Sequence, residues 1–380
     1  MRNLVKLLPF FALMFFGCSS DETNSPDPEP EALYWKEVYP GWQHTTAMRS
    51  DGTLWGWGQN YWGQLGVGST TPAEFHTPIQ ISTDTDWNKV AVGTAHTLAI
   101  KSNGTLWGWG INSNGELGDG TGVAKYTPTQ IGTENDWAAV SAGNGHSMAL
   151  KSDGSLWVWG GNSHGQIGYG EIDDEVLSPQ QVGTDTDWVK IKAGEVASLA
   201  LKSDGSLWLW GAKPGTAIQL MVPTQVGSDS SWNSFSIGSN SLIAVKSTGV
   251  RWGIGHNYSL GAGEGDIHST LTQIGTDSGW QQISSGNWHK IGLKTDGTIW
   301  TWGENSDSQL GNGASEDSGF PVQIGIGSTW DYIATAPMGR HSVARKTDKT
   351  LWAFGWNLAG QLGNGTETNS NVPVLIPCPQ

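Results

Sequence analysis

A single unit is written seven times along this chain, beginning at Trp35, Trp87, Trp137, Trp188, Trp232, Trp280 and Trp330, at spacings of 44 to 52 residues. Periods of that size belong to solenoids and propellers, whose units bury their apolar faces only against one another. The second copy, WNKVAVGTAHTLAIKSNGTLWGWGINSNGELGDGTGVAKYTPTQIGTEND, decides between the two. It holds four strand-like stretches: WNKVAV, HTLAIK, TLWGWG and TPTQI. Seven sets of four short strands predict an all-β chain, a seven-bladed β-propeller of four-stranded antiparallel blades. The 54 Gly and 23 Trp suit short strands and tight turns, not a helical bundle.

The joints carry their own logic. SDGT, SNGT, SDGS, SDGS, STGV and TDGT separate the second and third strands, and Asp-Gly or Asn-Gly predicts type I′ hairpins with positive φ. Asp348 and Lys349, in TDKT, break this pattern. Alternation in LWGWG puts both Trp of each pair on one face of the third strand. There they can fill the wedge between blades, with bulk on one side of each joint and Gly on the other. Seven Trp open the units, seven come first in a pair (Trp55, Trp107, Trp157, Trp208, Trp252, Trp300, Trp352) and five come second (Trp57, Trp109, Trp159, Trp210, Trp302). These nineteen are assigned to the framework and expected to be nearly fully buried.

HTLAIKSNGTLWGWGINSNGELG resembles the repeat of the regulator of chromosome condensation family, and the resemblance runs over residues 35–376, leaving 377–380 as a tail. Unit four departs from it, with GAKPGTAIQ from Gly211 and AGEVAS where a His is expected. Unit five has Ser241 for that His and Ile254 for the second Trp. The resemblance implies a propeller that offers one face to a protein partner. Chromatin binding, known for the family's namesake, lacks electrostatic support in a chain of 35 acids and 20 bases with net charge −15. No nucleic-acid partner is expected.

Residues 1–17 read as a signal segment, with Arg2 and Lys6 ahead of LLPFFALMFFG, an apolar run too short to span a bilayer. FFGCSSDE resembles the lipobox of bacterial lipoproteins, although Phe15 stands where Leu is usual. By that resemblance Cys18 is the lipidated first residue; the alternative is an ordinary signal peptide with an incidental Cys. Residues 18–34 form an acidic, Pro-rich tether, and the membrane is met only through the lipid. Ser19 after the Cys, with the acidic SSDE, resembles export signals of surface lipoproteins, implying the outer membrane, with the domain facing either the periplasm or the cell surface. Cys378 is left without a partner.

His44, His96, His146, His289 and His341 recur at the start of second strands. A ring of imidazoles suggests a metal, but zinc needs ligands converging on one point within about 2 Å, so each His is expected to bond a backbone group near the shaft. The Asp of TDTDW and SDG lack the spacing of a calcium loop and suit turns. No nucleophile motif, phosphate loop or zinc helix is present. The reading is not an enzyme, with no cofactor and no metal.

Four Trp fall outside the repeat: Trp42, Trp62, Trp288 and Trp356. Loops 1–2 and 3–4 of an antiparallel blade emerge on one face, so all four share it, together with Tyr61 and Tyr258, which follow Asn60 and Asn257. These six residues are the candidate partner site, since aromatic anchors dominate binding surfaces; the competing reading is that they cover loops or plug the shaft. The expected function is an exported, monomeric, protein-binding module. The alternative is a carbohydrate-binding surface lipoprotein whose rings stack on sugars.

Overall fold

The computed structural model describes residues 32–172, 175–327 and 329–380. The expected signal segment, Cys18 and the tether up to residue 31 lie outside the described residues. From Leu33 onward the chain is one compact unit built of seven antiparallel sheets, each of four consecutive strands paired in sequence order. Blade 1 comprises Trp35–Pro40, His44–Arg49, Leu54–Gln59 and Glu74–Ser82; blade 7 comprises Trp330–Ala334, His341–Lys346, Leu351–Gly355 and Ser370–Ile376. The seven-bladed propeller is therefore as expected.

The hairpins differ from expectation in kind. Gly104 N–H donates to Lys101 O at 2.9 Å and Lys101 N–H to Thr105 O at 3.1 Å, while φ is positive at Gly104 alone of the turn residues. That is a three-residue loop, a type I turn followed by a left-handed Gly that forms a bulge, not type I′. Asn103 selects it by accepting the Thr105 N–H at 3.1 Å and hydroxyl at 2.7 Å, a side-chain mimic of a turn. A Cβ on Gly104 would lie 2.0 Å from Asn135 O, so crowding and φ both demand Gly. In blade 7 Lys349 adopts φ 71 itself.

A bulge after the first residue of each blade sets the opening Trp directly across from the cation ending the second strand, as in Trp87↔Lys101 and Trp280↔Lys294. Each of these lysines lies 4.2–5.4 Å from the centroids of two indoles, the opening Trp and the first of the pair. Cation–π attraction holds it there. The link carboxylates close the cage: Asp84 and Asp86 reach Lys101 at 2.7 and 3.1 Å, and Asp136 reaches Lys151 at 3.3 Å. Of the acids that raise the question of calcium, those of the links thus hold lysines, while hairpin acids such as Asp153 accept the N–H and hydroxyl of the turn.

This cage corrects the burial expected of the framework. Opening Trp and the second of each pair are buried, but the first of each pair is only half-buried. Trp107 and its equivalents line the cage at the wet edge of the wedge, and except at Trp252, where Val250 replaces the hydroxyl, their indole N–H groups are satisfied by turn hydroxyls, as Trp107 to Thr105 at 2.9 Å and Trp300 to Thr298 at 3.0 Å.

The second Trp of each pair crosses into the preceding blade, where a Gly makes room. A Cβ on Gly118 would lie 2.7 Å from Trp159 Nε1, and one on Gly66 2.8 Å from Trp109 Cδ1. The buried apolar clusters mostly span such joints. The last of them closes the ring, with Trp35, Val38 and Trp57 of blade 1 packed on Val343, Leu351 and Leu362 of blade 7. Among the described residues no strand is exchanged there, since every blade is complete from consecutive strands.

Candidate functional site

The recurring His are structural, and their partners are not the backbone groups expected. His96, His146, His289 and His341 are fully buried, and each Nε2 meets a hydroxyl of the following blade: Ser147 at 3.0 Å, Ser198 at 2.9 Å, Ser342 at 2.8 Å and Thr45 at 3.0 Å. A side-chain hydroxyl serves better than a carbonyl because it both accepts and donates. Ser147 passes its proton on to Glu116 O at 2.7 Å, and Trp159 Nε1 donates to the same oxygen at 2.8 Å. His44 alone of the five has neither ring nitrogen bonded. Burial pushes the imidazoles of His44, His146 and His289 down to about 3, and those of His96 and His341 to about 4, so they are neutral.

The 3–4 loops that carry the candidate aromatics are pinned from below. Asn60, buried, donates to Ser69 O at 2.8 Å and accepts the Leu65 N–H at 3.3 Å, and Asn357 repeats this with Thr366 O and the Leu362 N–H, both at 2.9 Å. With the polar work done underneath, the residues that follow Asn60 are free to face solvent. Tyr61 and Trp62 are each 52% exposed and Trp288 is 37% exposed. Trp42 and Trp356 are half-buried and lie against each other, ring centroids 6.5 Å apart. Tyr258 is half-buried and donates to Gly303 O at 3.1 Å; burial, then Asp317, push its phenol well up. His256 stands 6.3 Å from Trp288.

The six residues thus fall into two neighbourhoods. Trp42 and Trp356 meet at the seam between blades 1 and 7, with Tyr61 and Trp62 on the adjoining blade 1 loop, while Tyr258 and Trp288 stand on blades 5 and 6. Trp42 also lies beside Pro337 and Met338 over the end of the shaft, so for this residue the plugging role holds as well.

Two exposed side chains extend the seam group beyond the six. Leu358, 60% exposed, follows Asn357 as Tyr61 follows Asn60; aligning the repeats on Asn would have found it. Tyr126 packs on the blade 1 loop, where a Cβ on Gly63 would come within 2.3 Å of its ring. Nothing in the repeat marks that contact. At the same seam Glu74, His76 and Glu367 bring ligand atoms within 4.8 Å of one another, with His76 Nε2 3.7 Å from Glu74 and 3.4 Å from Glu367. Tyr61 donates to Glu74 at 3.0 Å, which raises its own phenol.

A blade count of seven, four strands each, and a His–hydroxyl relay between blades define a propeller with a loop face. The chain matches the RCC1-like domain over residues 17–270 and the regulator of chromosome condensation (RCC1) repeat over 296–343 and 348–380. It belongs to that family. The ultraviolet-B receptor UVR8 of Arabidopsis thaliana is 38% identical over 87 residues, 23% of this chain and 20% of the receptor. The probable E3 ubiquitin-protein ligase HERC3 of Homo sapiens is 36% identical over 84 residues, 22% of this chain and 8% of the ligase. The chain therefore aligns with a fifth or less of these curated relatives' lengths. Prp20p from Saccharomyces cerevisiae, whose structure was reported with its binding properties to Gsp1p and histones, superposes with a TM-score of 0.76 at 20% identity, over 91% of this chain and 88% of that one. Among the described residues no helix is long and apolar enough to cross a membrane.

Proposed function

We propose that this propeller is an exported, lipid-anchored binding module that docks a protein partner on the face carrying Trp42, Tyr61, Trp62, Tyr258, Trp288 and Trp356. The observation that carries the reading is the exposure of Tyr61 and Trp62 on an Asn-pinned 3–4 loop, and of Trp288 on a 1–2 loop, of one ring. Large rings held still lose little entropy on binding, and such residues are where interface energy concentrates. Prp20p, similar in fold, is a protein described by what it binds. Cys18 supplies the anchor, the outer membrane is the location, the ring acts as a monomer, and it performs no chemistry of its own.

The experiment is capture of partners on the propeller, followed by affinity measurements of the Trp62→Ala and Trp288→Ala propellers with the partner so found. Loss of one anchor worth about 2 kcal/mol weakens binding roughly thirtyfold. Unchanged affinity, with a loss on substituting Asp84 and Asp86, would move the site to the opposite face. Labelled fatty acid failing to enter the wild-type chain would remove the anchor. Carbohydrate is the second reading, favoured by the Tyr61–Glu74 hydrogen bond beside exposed Trp62, which sets a flat ring next to a carboxylate acceptor; glycan binding that resists salt would select it.

A further inference from the structure

The first strands of the blades line the shaft, and inside it lies a cavity of about 260 Å³ bounded by Val38, Val90, Val140 and Ile333, with Lys192. It continues into a wider space of about 560 Å³ that shares Val140, Ile191, Lys192 and Gln282 and adds Lys89 and Lys190. That second space is lined by the opening ends of first strands, so its mouth is on the hairpin and link face, opposite the aromatic loops. At the other end Trp42, Thr94, Pro337 and Met338 leave no room for a water. The shaft opens on the hairpin and link face and narrows towards Trp42.

Its charge runs against that of the chain. In a protein of 35 acids and 20 bases, the two spaces are lined by Lys89, Lys190 and Lys192 and by no Asp or Glu. Glu37, at the strand position matching Lys89 and Lys190, accepts the Tyr39 hydroxyl. Other polar lining groups are already engaged: Ser141 accepts the Ala193 N–H at 2.9 Å, Ser284 donates to Thr335 O at 3.2 Å, and Gln282 to Ile333 O at 3.2 Å. Lys190 donates to Asn233 O at 2.9 Å. Among the described residues the Lys192 ammonium has no hydrogen-bond or ion-pair partner, and burial pushes its pKa down. An uncompensated amine facing an enclosed space is costly unless something negative joins it.

We propose that the shaft binds a small organic anion, its carboxylate or phosphate on Lys192 and its apolar body against the neighbouring Val38, Val90, Val140 and Ile333 walls. Lys89 and Lys190 at the mouth draw the anion in, and the narrow end limits its length. This site is separate from the aromatic face and does not depend on what docks there.

Isothermal titration of the purified protein with hexanoate and with inorganic phosphate tests it. At least one probe binds at one site per chain, and which one binds more tightly identifies the headgroup. Lys192→Met weakens that probe at least about tenfold, the value of a charge-assisted hydrogen bond, while melting no lower than the wild type because an unpaired, half-buried amine is gone. If Lys192→Met does not fold, Lys192→Gln serves the same purpose. Absence of binding by both probes, or binding that survives loss of the Lys192 charge, overturns the proposal.

Discussion

His341 Nε2 lies 3.0 Å from the Thr45 hydroxyl, across 296 residues of sequence and from the last blade to the first. The same hydroxyl donates to Gln361 O at 3.0 Å, where Trp57 Nε1 also donates at 2.9 Å. Ring closure therefore uses the same relay that joins interior blades.

Thr45→Val keeps the shape and removes this bridge, leaving the buried His341 ring and Gln361 carbonyl each short of a bond. A loss of about 1–3 kcal/mol follows. Thr97→Val is the control, because His44 has no bond to lose there and Thr97 only donates to Gln64 O at 3.1 Å. Urea denaturation of the two variants should separate them, and equal losses would deny the relay its role.

Stability should fall steeply with acid. The five buried imidazoles have folded pKa values of about 3 to 4 against about 6.5 unfolded. Below pH 6.5 the unfolded chain takes up protons that the folded chain refuses, so folding weakens as pH drops towards 4, by at most about 1.4 kcal/mol per pH unit for each His. Above pH 7 these groups contribute no slope. Urea midpoints across pH 5 to 8 measure it, and His146→Gln should flatten the acid limb.

Lys349→Gly should stabilise blade 7 by up to about 1 kcal/mol, since Gly takes a left-handed conformation without the steric cost that Lys pays. The gain is trimmed by losing the exposed pair with Asp331, 2.9 Å away. Gly104→Ala should do the reverse, because its Cβ meets Asn135 O. Thermal midpoints of both variants give the comparison.

The indoles of one pair should differ. Trp159→Ala opens a cavity in a blade joint and removes one of the two donors to the Glu116 carbonyl, costing about 3–5 kcal/mol. Trp157→Ala, at a half-buried cage wall, should cost clearly less, and Trp62→Ala within about 0.5 kcal/mol of nothing. Similar losses at Trp157 and Trp159 would show that cage and joint are equally essential.

Blade number, strand order and the Trp–Gly joints were legible because each is repeated, and repetition turns a weak local signal into a pattern. The hairpin type was not, because Asp-Gly serves both a two-residue and a three-residue turn, and the choice rests on the Thr105 hydrogen bonds that follow it. Half-burial of Trp107 was hidden for a related reason: alternation says which face a side chain takes, not how far the wedge extends past it. Of the candidate site, the loops were readable from connectivity. The pairing of Trp42 with Trp356, and the approach of His76 to Glu367, were not, since both depend on how the ring closes.

The seam between blades 7 and 1 is held by side chains and by end contacts such as Leu33 N–H to Gln380 Oε1 at 3.3 Å, whereas each other pair of neighbouring blades is also joined by the chain itself. It is the clasp of the ring, the joint whose opening no covalent link resists. Because Trp42 and Trp356 face each other across it, a partner that grips both rings would fasten the clasp, and ligand occupancy and the integrity of the whole circle would rise and fall together.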